Sequence, residues 1–126
     1  GNEHVIPEFI NKFKNLKSKN ELSIQGSGNE KRSFIHIEDF CQAFDKILKK
    51  GKNLNIYNIG TLEIVKIKEI ILIMQKIFNK KVKIKKNPIK KGGTKIRCPN
   101  INKIKKLGFK QKISLFDGLK KIIEIN

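Results

Sequence analysis

The sequence is poor in several residue types, and each scarcity excludes something. Cys41 and Cys98 are the only cysteines in 126 residues, too few for a disulfide scaffold and typical of free thiols. His4 and His36 are the only histidines, and no C-x-x-C or H-x-x-x-H spacing supports a zinc site. Tryptophan is absent, and methionine and tyrosine each occur once. No apolar run reaches bilayer-spanning length. The opening Gly1-Asn2-Glu3-His4 lacks the basic region and apolar stretch of a secretory signal. These absences point to a cytoplasmic protein with no membrane partner. The lack of an initiating methionine reads as a fragment, whether a natural truncation or an excised piece.

Acidic residues are scarce as well: 11 stand against 29 basic ones, for a formal charge of +18. A field of that strength raises the alternative of a small basic nucleic-acid-binding module. Yet Arg32 and Arg97 are the only arginines, and lysines are scattered over almost every segment. Nucleic-acid sites favour arginine for bidentate contacts and aromatic rings for stacking. Here the phenylalanines fall at core-patterned positions. Compositional bias is therefore the favoured reading and nucleic acid the disfavoured one. The field would still attract an anionic substrate.

A chain of this length can bury one modest core, and it is too short for a dinucleotide-binding domain plus a substrate domain. Apolar periodicity predicts a helix over residues 5–16, with Pro7 in its first turn. Two strands, 22–25 and 34–37, are expected to be joined by the glycine turn at 26–29. Asp39 is a plausible N-cap for a helix that aligns Phe40, Ala43, Phe44, Ile47 and Leu48 on one face and stops at Gly51. A third strand is expected at 54–59, a helix at about 65–79 and a fourth strand at 82–85. Residues 87–99 carry Pro88, Gly92, Gly93 and Pro99 without periodicity and read as a long functional loop. A short helix at 101–107 and a last helix, opened by Ser114 and Asp117 in a capping-box arrangement, complete an α/β layout.

The most specific stretch is Gly26-Ser27-Gly28-Asn29-Glu30-Lys31-Arg32-Ser33-Phe34-Ile35-His36-Ile37-Glu38-Asp39. On its chemistry alone, Arg32 could form a surface ion pair with Glu30, Glu38 or Asp39, or grip a diphosphate bidentately. The stretch resembles the block G-x-G-x-x-x-R-x-F/W-x-H/Y-V/I-x-D of NAD-dependent epimerases and dehydratases, the extended short-chain dehydrogenase/reductase family. Tyr57-Asn58-Ile59-Gly60 is similar to that family's Y/F-N-I/V-G strand end, and His4-Val5-Ile6-Pro7 to its entry segment. Residues 100–109 and 114–123 resemble two further blocks of structural character. The glycine pair Gly26 and Gly28 is not a dinucleotide fingerprint, which needs a third glycine and a strand-to-helix junction. Tyr57 is followed four residues later by Thr61, so the family's catalytic Tyr-x-x-x-Lys is not in this chain.

The resemblance implies that residues 1–126 are the C-terminal nucleotide-sugar-binding region of such an enzyme, a small mixed α/β fragment of a Rossmann-type protein. It places Arg32 on the pyrophosphate. It puts Leu22, Ile24 and Gln25 on a base-binding strand, Val5 and Ile6 in the same pocket, and Asn58 near the ligand. Lys90 stands where relatives often carry an arginine in a loop that closes over the diphosphate, while Arg97 points elsewhere. His36 reads as a structural histidine. The implied cofactor is NAD, bound mainly by an N-terminal Rossmann domain absent from this sequence, for transient oxidation of the sugar at C4. This segment alone would be inactive. A nucleotide-sugar, that N-terminal domain and, potentially, a second copy in a homodimer are the implied partners.

Overall fold

A computed structural model describes residues 4–16, 20–88 and 94–125 of the chain. Its elements run α1 (Val5–Lys14), β1 (Glu21–Gln25), β2 (Lys31–Ser33), α2 (Ile37–Lys50), β3 (Ile64–Lys66), α3 (Ile67–Phe78), β4 (Lys83–Asn87), β5 (Ile96–Arg97), α4 (Asn102–Lys106) and α5 (Leu115–Ile125). The α/β character matches the expectation from sequence. Among the described residues the strands form two small sheets. In one, β1 pairs in parallel with β4. In the other, β2 lies between an antiparallel β3 and a parallel β5. No described helix is long and apolar enough to cross a membrane.

The core forms around α3. Its Ile67, Ile70, Ile71 and Met74 recur at helical spacing and are buried. They pack with Phe9, Ile10 and Phe13 of α1, Leu22 and Ile24 of β1, and Leu115 and Leu119 of α5. Phe13 stacks on Phe78 with ring centroids 5.3 Å apart. Asn79 ends α3 in the left-handed region at φ 50°, a conformation asparagine tolerates better than most residues. A second, smaller cluster joins Ala43 of α2 to Ile101, Ile104 and Phe109.

Several expectations need correction. The glycine turn does not fold β1 onto β2 as a hairpin: β1 takes β4 as its neighbour, and β2 takes β3 and β5. Gly26 and Gly28, at φ 90° and 83°, redirect the chain instead. The carbonyls of Gly28 and Glu30 accept hydrogen bonds from the backbone N–H groups of Lys68 and Ile67 at the start of α3. The second strand is Lys31–Ser33, earlier than predicted, because α2 already begins at Ile37. Its N-cap is His36, whose Nδ1 accepts from the Glu38 N–H. Residues 54–59 have no strand partner among the described residues, and the strand before α3 is β3. The predicted loop at 87–99 contains β5. Of the five apolar residues aligned on one face of α2, only Ala43 is fully buried.

Asp39 is not a cap. It lies in the first turn of α2, fully buried, and its carboxylate accepts from the backbone N–H groups of Lys112 and Ile113 at 2.9–3.2 Å. This ties α2 to the segment that leads into α5. Asp39→Ala strands those donors in a buried setting and is expected to cost about 2–3 kcal/mol. Urea unfolding of the variant against the parent sequence checks it, and a loss below about 0.5 kcal/mol would contradict the assigned role.

Candidate functional site

A cleft of about 640 Å³ opens between the start of α1, the end of β2 and the segments around Gly60 and Pro99. Its lining comprises His4, Val5, Ile6 and Pro7 on one side and Arg32, Ser33, Phe34 and Ile35 on another, closed by Ile59, Gly60, Arg97 and Pro99. β2 positions the charge. In its parallel pairing with β5, Arg32 stands directly opposite Arg97, so both side chains leave the same face of the sheet. The Arg32 guanidinium is held from behind: Nη1 donates to the Lys31 carbonyl at 2.8 Å and Nη2 to the Thr94 carbonyl at 2.9 Å. A guanidinium has five N–H donors, so most of its capacity remains for a ligand. The ion pairs among the described residues use Glu8, Glu38, Asp45 and Glu124, and none involves Arg32 or Arg97. Like charges directly opposite across a ladder repel, and a dianion between them would remove that cost.

The rear wall is fixed by close packing. A Cβ at Gly60 would lie 2.4 Å from the Pro99 side chain, so only glycine permits this approach. Next to it, buried Thr61 donates from Oγ1 to the Phe34 carbonyl at 2.9 Å, and the Ser33 hydroxyl donates to the Thr61 carbonyl at 2.9 Å. These bonds join the wall to the strand that carries Arg32.

The cleft thus brings together three of the residues singled out from sequence: Val5, Ile6 and Arg32. Leu22 and Ile24 are not among its lining; their side chains are buried in the main core and their backbone groups face β4, with the Ile24 carbonyl also accepting from Asn87 Nδ2 at 3.2 Å. Gln25 is exposed at the end of β1. Asn58 is exposed just outside the lining, its Nδ2 donating to the Asn100 carbonyl at 3.2 Å. Lys90 lies outside the described residues. Arg97 was missed. Its rarity was the available signal, since it is one of two arginines in a lysine-rich chain.

Residues 1–60 match the model of the NAD dependent epimerase/dehydratase family. The chain is 30% identical over 125 residues to a putative GDP-L-fucose synthase 2 of Arabidopsis thaliana, covering 98% of this chain and 38% of that protein. It superposes with a TM-score of 0.85 and 25% identity on a UDP-glucose 4-epimerase of Thermotoga maritima solved with UDP-glucose, covering 98% of this chain and 39% of that one. A UDP-glucuronic acid 4-epimerase of Bacillus cereus, solved with UDP-glucuronic acid and NAD, superposes with a TM-score of 0.83 at 25% identity, covering 98% and 40%. The chain therefore spans about two fifths of the length of these relatives.

The glycine turn offers no place for NAD. The Glu30 carboxylate already fills it, accepting from the backbone N–H groups of Ser27 and Gly28 at 2.9 Å and from the Ser27 hydroxyl at 3.0 Å. A Cβ at Gly26 would lie 2.5 Å from that carboxylate. Burial by itself would raise the pKa of Glu30, but these hydrogen bonds outweigh it and hold the group below its ordinary value. A carboxylate with a depressed folded pKa adds stability that is present above its unfolded pKa of about 4.3 and is lost as pH falls through the lower folded value. Glu30→Gln is therefore expected to lower stability at pH 7, with the difference from the parent sequence shrinking below about pH 4. Chemical unfolding across pH reads this directly, and a difference independent of pH would contradict it.

Proposed function

We propose that this chain is the C-terminal, substrate-binding part of a member of the NAD-dependent epimerase/dehydratase family, and that its Arg32–Arg97 cleft holds the diphosphate of a nucleotide-sugar. One observation carries the reading: two arginines stand in register across β2 and β5, both on the cleft and neither paired with a carboxylate among the described residues. The family match over residues 1–60 and the UDP-glucose bound in the Thermotoga relative support it. Arginine suits the task because its planar fork meets phosphoryl oxygens two at a time.

In this reading the chain's contribution is orientation and charge neutralisation. Arg32, steadied by the carbonyls of Lys31 and Thr94, meets one phosphoryl group, and Arg97 meets the other. Val5 and Ile6 supply an apolar wall, and Gln25, exposed at the end of β1, offers a base-reading group. Asn58 stands at the cleft's margin, and Lys90 would add positive charge toward the diphosphate. Hydride chemistry belongs to NAD held by the remainder of the parent enzyme, since the glycine turn here is filled by Glu30.

Calorimetry with UDP-, dTDP- and GDP-sugars tests the assignment. Arg32→Ala and Arg97→Ala are each expected to weaken binding about ten- to a hundredfold, the scale of a lost charge-assisted contact. Arg32→Lys should recover only part of that, because lysine keeps the charge and loses the fork. Unchanged affinity in both alanine variants would overturn the proposal. Tight binding to duplex DNA with a steep salt slope that persists near physiological salt would favour the nucleic-acid module instead.

A further inference from the structure

We infer that an apolar pocket behind the arginine cleft is a second binding site, for a small neutral molecule about the size of a substituted aromatic ring that carries one carbonyl oxygen. The site is separate from the diphosphate reading and does not depend on it.

The pocket lies between the start of α1, the link from β2 to α2, and α5 with the segment that leads into it. Its volume is about 200 Å³. Ile6, Phe34, Ile35, Ile113, Leu119 and Ile122 supply most of its wall. Leu119 is buried, whereas Ile122 is 38% exposed and stands at the rim. The lining contains no lysine, arginine, aspartate or glutamate, which sets it apart on a molecule of charge +18. A charged ligand would lose its solvation here and gain no counter-charge.

His36 provides the one free polar side chain. That side chain is only 10% exposed. Its Nδ1 accepts from the Glu38 N–H at 3.3 Å, so in the neutral imidazole the proton sits on Nε2. Among the described residues Nε2 has no hydrogen-bond partner. No sealed side-chain nitrogen or oxygen among them lacks a partner, so Nε2 opens into reachable space. The ring is also held in place. A Cβ at Gly118 would come 3.1 Å from His36 Cδ2, the carbon bonded to Nε2. Glycine inside a helix is less favourable than alanine, and at this position it makes room for the imidazole edge. Ser114, the other polar side chain of the lining, is already committed: its Oγ donates to Asp117 Oδ2 at 2.6 Å and accepts from the Asp117 N–H at 3.1 Å.

These features select the ligand. A buried water needs about two to four polar partners, and the side chains here offer one. An apolar cavity of about 150 Å³ holds benzene, so this one suits a ring with a short substituent. An oxygen acceptor on that substituent meets the Nε2–H and supplies the bond that the protein leaves unmade. Ile6, Phe34 and Ile35 line both this pocket and the arginine cleft, so a bound molecule touches side chains that also wall the cleft.

Acetophenone is the probe, titrated into the chain and followed by NMR of the His36 imidazole and of the isoleucine and leucine methyl groups. It should saturate with a Kd of about 1 mM or lower, the scale for a ligand of that size. It should shift the His36 Nε2 signal and give nuclear Overhauser contacts to Ile6, Leu119 and Ile122. Ethylbenzene has a similar shape without the acceptor and should bind about tenfold more weakly. His36→Asn keeps a good N-cap and removes the Nε2–H, so it should level the two compounds. Ile122→Phe fills the pocket from its rim and should weaken both about tenfold or more. No saturable change at His36, contacts elsewhere on the surface, or equal affinity for the two compounds would each overturn the inference, and these measurements on the parent sequence require no variant to fold. An acetophenone preference that survives His36→Asn would overturn it as well. Nucleotide-sugar affinity is read separately in the arginine variants, so either reading can fail while the other stands.

Discussion

Arg32 and Arg97 face the same cleft from adjacent parallel strands, and no carboxylate among the described residues neutralises either. Two guanidinium groups at that spacing repel one another. A fold that keeps them there stores a preference for a doubly charged ligand. The surrounding +18 field adds long-range attraction but no direction. Direction comes from the strand pairing and from the two backbone carbonyls that hold Arg32.

That arrangement depends on packing some distance away. The buried face of α3 anchors both the glycine turn and β3, because the carbonyls of Gly28 and Glu30 accept from its first N–H groups. β3 in turn pairs with β2, fixing where Arg32 emerges. On the other flank, the close approach of Gly60 to Pro99 and the bonds of Thr61 hold the wall of the cleft against the end of β2. Glu30 has the complementary role: its carboxylate occupies the N–H groups of the glycine turn, so the proposed phosphate contacts fall to the arginines.

The site was legible in the sequence where residue identity carries the chemistry. Arg32 within its fourteen-residue block, Val5 and Ile6 in the entry segment, and Gly60 all come to one cleft. Periodicity was sufficient for α3, whose apolar face meets its partners inside the chain. It also found α2 and its apolar face but not what covers that face; within the described residues Ala43 is buried and the phenylalanines are exposed. Leu22 and Ile24 were read as ligand-facing from a motif, but alternation on a strand beside α3 sends them into the core. Pairing was the least legible level. Neither the β1–β4 pairing nor the Arg32–Arg97 register follows from local pattern, since both join segments more than fifty residues apart. Arg97 was lost for the same reason.

The central claim is that these two arginines act together on one dianionic ligand. Titrating the chain with a UDP-sugar while following the arginine side-chain Nε–H resonances by NMR tests it most directly. The account predicts that the Arg32 and Arg97 signals shift together and saturate at the same ligand concentration, while the lysine ammonium signals stay largely unmoved. Shifts spread over the lysines, with either arginine silent, would contradict it.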